Sequence, residues 1–158
     1  MTKNRAISIK KLLILLFTLA SGVVVAQTHF YKGNSSYSSD ILYTWDGKSL
    51  YRGNSTYSSD ILYTFDGKHV YRGRSSYSSD ILVTWDGEHI YRGNSSYSSD
   101  ILFTWDGRSL YKGRSTYSSD ILLNINGNRV YRGRSTYSSD ILYNMDGPIP
   151  LPILMMIM

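Results

Sequence analysis

Cysteine is absent from this 158-residue chain, proline occurs three times, and glutamate once, as Glu88. Without cysteine there can be no disulfide, thiolate metal site, cysteine nucleophile or lipidated cysteine. Stability has to come from packing and backbone pairing. The prolines are confined to positions 148, 150 and 152. Alanine and glutamate are scarce after residue 26, so the strong helix formers are missing from most of the chain. Charged residues make up 18% and apolar ones 42%, which is not the profile of a disordered chain. Catalytic raw material is thin as well. The histidines are His29, His69 and His89, and no serine stands in a Gly-x-Ser-x-Gly elbow. No catalytic residue, no metal site and no cofactor is expected.

What remains is rich in Tyr, Ser, Thr, Ile and Gly, with 15 tyrosines, a composition suited to strands and turns. Four basic residues lie in the first eleven positions, followed by the apolar run from Leu12 to Ala20 and small residues up to Ala26. Residues 1–26 therefore read as a secretory signal peptide cleaved before Gln27. An uncleaved anchor is the competing reading, but the apolar stretch is shorter than the ~20 residues of a spanning helix. The formal charge of +5 falls to about +1 once that segment is removed. The mature chain thus gives no electrostatic footprint for nucleic acid, and no transmembrane span is expected in it. The expected destination is outside the cytoplasm: periplasm, cell surface or extracellular space.

After a short lead, 27–30, the chain repeats every 20 residues over 31–147, in units starting at Tyr31, Tyr51, Tyr71, Tyr91, Tyr111 and Tyr131. Ser-Tyr-Ser-Ser-Asp-Ile-Leu is unchanged in all six copies, apart from Ser or Thr before its Tyr. Such a period signals units that bury their apolar faces against one another. In each unit a run such as Ile41–Trp45 precedes Asp46-Gly47, and a second run, Lys48–Arg52, follows. Asp-Gly between two such runs predicts a two-residue type I′ hairpin turn, with Asn126-Gly127 serving in the fifth unit. Gly47, Gly67, Gly87, Gly107, Gly127 and Gly147 are the expected turn glycines. This register sets Trp45 opposite Lys48, Tyr43 opposite Leu50 and Ile41 opposite Arg52. The expected fold is an all-β, open solenoid of stacked hairpins. A parallel β-helix and a closed ring of six hairpins are the alternatives.

In outline the unit resembles the hairpin repeats of choline-binding proteins and the short WG-type repeats of bacterial surface proteins, with aromatic strands around an Asp-Gly or Asn-Gly turn. The Gly-Trp opening of choline-binding units is replaced here by Tyr31-Lys32-Gly33. Choline specificity therefore does not carry over.

Three features invite a functional reading. Trp45, Phe65, Trp85 and Trp105 form a row that could bind sugars or quaternary ammonium groups; filling space between hairpins is the competing reading. The ladder Asp40, Asp60, Asp80, Asp100, Asp120 and Asp140 could bind calcium or serve an enzyme. Loop shaping, or pairing with the basic ladder Lys32, Arg52, Arg72, Arg92, Lys112 and Arg132, suits it better. Residues 148–158 form a Pro-rich apolar tail, expected to cap the array or to dock on a partner. Together these point to an exported, non-enzymatic repeat protein whose repetitive surface binds a glycan or another cell-envelope component, or serves structural assembly. A calcium-dependent module or enzyme using the Asp ladder is the alternative.

Overall fold

The computed structural model describes residues 26–158, so the expected export segment lies almost wholly outside the described residues. Twelve short strands follow one another: β1 (Thr28–Lys32), β2 (Ile41–Trp45), β3 (Ser49–Arg52), β4 (Ile61–Phe65), β5 (His69–Arg72) and β6 (Ile81–Trp85). They continue as β7 (His89–Arg92), β8 (Ile101–Trp105), β9 (Ser109–Lys112), β10 (Ile121–Asn126), β11 (Arg129–Arg132) and β12 (Ile141–Met145). Among the described residues one short α-helix, α1 (Leu151–Met155), follows β12. Each strand pairs antiparallel with its sequence neighbours, and β1 pairs with β12.

The strands therefore close into a barrel, which overturns the expected open solenoid and equally excludes the parallel β-helix. The physical reason is the edge. An open stack leaves two strands with unpaired backbone groups, whereas closure removes both edges. The register Phe30↔Met145, Tyr31↔Asn144 and Lys32↔Tyr143 makes the seam a rung like the others.

The hairpin register also differs from the expected one. Trp45 faces Leu50, Thr44 faces Tyr51 and Tyr43 faces Arg52. The loop is still two residues long, but it is Gly47-Lys48. Asp46 sits before it and donates its N–H to Ser49 O at 3.2 Å. The Asp46 carboxylate decides the shift, because Oδ1 accepts from the N–H groups of both Lys48 (2.8 Å) and Ser49 (2.6 Å). Only Gly47, at φ 96°, takes positive φ, whereas a type I′ turn on Asp46-Gly47 needs it at both residues. In the fifth unit Asn126 pairs with Arg129 around Gly127-Asn128. Gly147 is not at positive φ, because no turn follows it.

Strand alternation sends three rings of side chains inward. One ring is Trp45 and its equivalents. The second is Phe30, Leu50, Val70, Ile90, Leu110 and Val130, every one fully buried. The third is Tyr43, Tyr63, Val83, Phe103, Leu123 and Tyr143, packed on the same core. A one-residue bulge at Leu42 and its equivalents lets each loop fold over without turning these rings outward. Twelve strands enclose more space than their own side chains fill easily, since about eight already leave room only for side chains. The tail supplies the remainder: Ile153 and Leu154 are buried in the core cluster, and the Tyr143 hydroxyl donates to Ile157 O at 3.0 Å.

Candidate functional site

The six connections that begin at Gly33, Gly53, Gly73, Gly93, Gly113 and Gly133 all emerge at one end of the barrel; the Asp-Gly turns lie at the other. The invariant motif occupies the first set. Its loops are locally braced. The Ser35 hydroxyl donates to Asp40 Oδ2 at 2.5 Å, Tyr37 N–H donates to Ser35 Oγ, and Asp40 N–H donates to Tyr37 O at 2.9 Å, closing a 3₁₀ turn. The other five loops repeat all three bonds.

Between the braces the loop presents its tyrosine to solvent. Tyr37, Tyr57, Tyr77, Tyr97, Tyr117 and Tyr137 are each 74–75% exposed. Two of the inner rings drift among Leu, Val, Ile and Phe or among Trp, Phe, Ile and Met, while the exposed loop Tyr, which has no packing to hold it, is as invariant as the buried Tyr51 row. Exposed aromatics with no core role are the residues that carry binding energy at interfaces. A loop of Tyr, Ser, Asn and Gly is also the chemistry of adaptable binding surfaces. The functional features read from the sequence are the strand aromatics, the Asp ladder and the tail; these tyrosines are not among them. Their invariance beside variable strand positions was the available signal.

Charge separates along the barrel axis. The loop end carries nine Lys and Arg against six Asp, and the turn end four against six acidic residues. The basic ladder does not pair with the Asp ladder: the ion pairs within 4 Å among the described residues all involve histidine. Lys32 and its five equivalents are solvent exposed at the loop end. Each Asp of the Asp40 ladder is held by its own loop serine. Among the described residues no three His, Asp or Glu gather as a metal site would require.

The aromatic row lies elsewhere. Trp45 is buried, and Phe65, Trp85 and Trp105 pack half-buried against the core. They ring the lumen at the turn end, where Trp85 and Trp105 line a groove of about 480 Å³ with Pro148, Ile149, Leu151 and Leu154 of the tail. Trp45 borders a second groove beside Pro148–Pro150.

At the turn end each Asp–Gly corner forms a small network. Tyr51 donates its hydroxyl to Asp46 Oδ2 at 2.7 Å, and Tyr71, Tyr91 and Tyr111 do the same to Asp66, Asp86 and Asp106. Burial pushes the Asp86 carboxyl up. The His89 N–H, the Tyr91 hydroxyl and the Glu88 N–H outweigh it and hold the group at about 2. Asp46, Asp66, Asp106 and Asp146 are lowered by the same balance. These carboxylates are saturated with donors, so they serve as turn locks.

The architecture is that of a six-fold β-repeat ring closed by its own ends. A family described as "6-fold beta flower protein" matches residues 30–154, and the chain belongs to that family. Neither the curated proteins nor the solved structures contain a match. Among the described residues no helix is long and apolar enough to cross a membrane.

Proposed function

We propose that this is an exported, non-enzymatic binding protein whose loop end grips a glycan of the cell envelope through six equivalent tyrosine loops. The observation that carries the reading is the ring of six invariant tyrosines, three-quarters exposed, on loops braced by serine–aspartate bonds. Tyrosine offers a flat apolar face for a sugar ring and a hydroxyl for its polar edge. Bracing reduces the ordering cost of binding, because the loop is already in its presenting shape. The excess of Lys and Arg at that end favours glycans that carry acidic groups. Six equal contacts act together, so weak individual affinities sum to useful avidity.

The test is a panel of envelope polysaccharides probed with the folded protein. Tyr97→Ala alone is expected to weaken binding modestly. Replacing all six tyrosines by alanine is expected to abolish it and leave the melting temperature nearly unchanged, since none belongs to the core. Undiminished glycan binding by the six-fold variant, or no glycan binding by the parent protein, overturns the reading.

A further inference from the structure

Five rungs at the turn end carry the tyrosine-to-aspartate bond, at 2.7–2.9 Å, counting Tyr31 to Asp146 at the seam. The remaining rung does not. Asn126 stands where the others have Asp. Tyr131 is only 5% exposed as a residue, but its hydroxyl bonds no protein acceptor among the described residues and stays open to solvent. Arg129 replaces the Ser or His of the other rungs, and Asn124 and Asn144 replace Thr. The exchange leaves an open groove of about 410 Å³ lined by Asn126, Asn128, Arg129, Tyr131 and Asn144. No carboxylate lines it, and Arg129 has no ion pair within 4 Å among the described residues. Asn144 is already committed, donating its amide to Ser35 O at 3.0 Å.

We propose that this groove binds the carboxylate group of a small acidic ligand, which takes the place held by the aspartate carboxylate in the other five rungs. Those rungs show the complement: a carboxylate oxygen accepting the tyrosine hydroxyl. Here the hydroxyl remains, the carboxylate is gone, and a guanidinium is added. Guanidinium binds carboxylates through two parallel hydrogen bonds, and asparagine amides are further donors. The hydroxyl, bonded to no protein acceptor, is free to donate to a ligand in the groove. The groove volume sits at the small end of ligand sites, which suits a single acid group with a short body. The site lies on the turn-end rung, away from the exposed tyrosines, although Asn144 links it to the Tyr37 loop through Ser35 O.

The experiment titrates the folded protein with acetate, with glucuronate and with chloride, following amide and Arg129 side-chain signals by NMR. Both carboxylates are expected to give saturable shifts confined to the surroundings of Tyr131, and chloride none. Tighter binding of glucuronate assigns the site to a sugar acid; equal binding assigns it to the bare carboxylate. Asn126→Asp supplies the missing carboxylate from the protein itself, as five rungs already do, so it keeps the fold and is expected to eliminate the shifts. Tyr131→Phe is expected to weaken binding about tenfold or more. Absence of saturable shifts, equal shifts with chloride, or unchanged binding in Asn126→Asp overturns the proposal.

Discussion

The Tyr31 hydroxyl donates to Asp146 Oδ2 at 2.9 Å across 115 positions of the chain, repeating the bond that Tyr51 makes to Asp46 five positions away. The imitation extends to the backbone. Asp146 N–H donates to His29 O at 3.3 Å and His29 N–H donates to Asp146 Oδ1 at 2.7 Å, as Asp46 and Ser49 do within a turn. His29 adds Nδ1 to Oδ2 at 2.7 Å. The two chain ends thus build a turn without a connecting peptide. Asp146→Ala removes the acceptor for the Tyr31 hydroxyl, the His29 N–H and the His29 ring nitrogen, and should cost about 1–2 kcal/mol in chemical denaturation. Asp106→Ala is the comparison. Its turn stays covalently joined, so its loss should leave strand exchange unaffected, whereas Asp146→Ala should speed hydrogen exchange in β1 and β12.

Acid should loosen the turn end. Aspartate titrates near ~3.9 in an unfolded chain. In the folded protein Asp46, Asp66, Asp86, Asp106 and Asp146 are all lower, Asp86 at about 2. Between those values the unfolded chain binds more protons, so stability falls as pH falls. The contribution is complete above about pH 4 and is lost progressively toward pH 2. Melting temperature against pH should be level from 7 to 5 and drop below 4. The paired variant Asp66→Asn, Asp86→Asn should start lower and show a shallower acid drop.

Gly87 takes φ 105° in the β6–β7 turn, and a Cβ placed there meets nothing within 4 Å. The penalty of Gly87→Val is therefore conformational and not steric crowding, on the order of 1–3 kcal/mol by denaturation midpoint. Gly147 presents the opposite case: its conformation is ordinary, but an added Cβ would collide with the Thr28 side chain. Gly147→Ala should accordingly be rescued in part by Thr28→Ala, which removes the colliding hydroxyl oxygen, and Gly87→Val by no neighbouring change.

Removing residues 71–90 takes out one whole unit. In an open stack a shorter array would remain folded. In this barrel the deletion leaves ten strands whose ends must meet around a smaller circumference, with the tail still to be accommodated. The expected products are an unfolded chain or an oligomer that restores a closed sheet between copies. Circular dichroism and light scattering distinguish these from a folded monomer, which would contradict the closed arrangement.

The sequence by itself determined the unit: its 20-residue period, its two strands, the turn beside Asp-Gly and the loop after the second glycine. All of these follow from contacts between residues a few positions apart, where β-branched and aromatic runs, glycine φ and Asx bonds decide locally. Tertiary structure decided the rest. Whether six hairpins stack openly or close depends on the curvature accumulated over all twelve strands and on Phe30 meeting Met145, which no single unit encodes. The one-residue shift of the loop is local too, the Asp46 carboxylate reaching two N–H groups at once, but it is a choice between two turns that share the same letters. Only closure turned the Trp45 row into a lumen ring, converted a Pro-broken apolar tail into the filling of that lumen, and brought six loop tyrosines, otherwise 20 residues apart, to one end of the barrel.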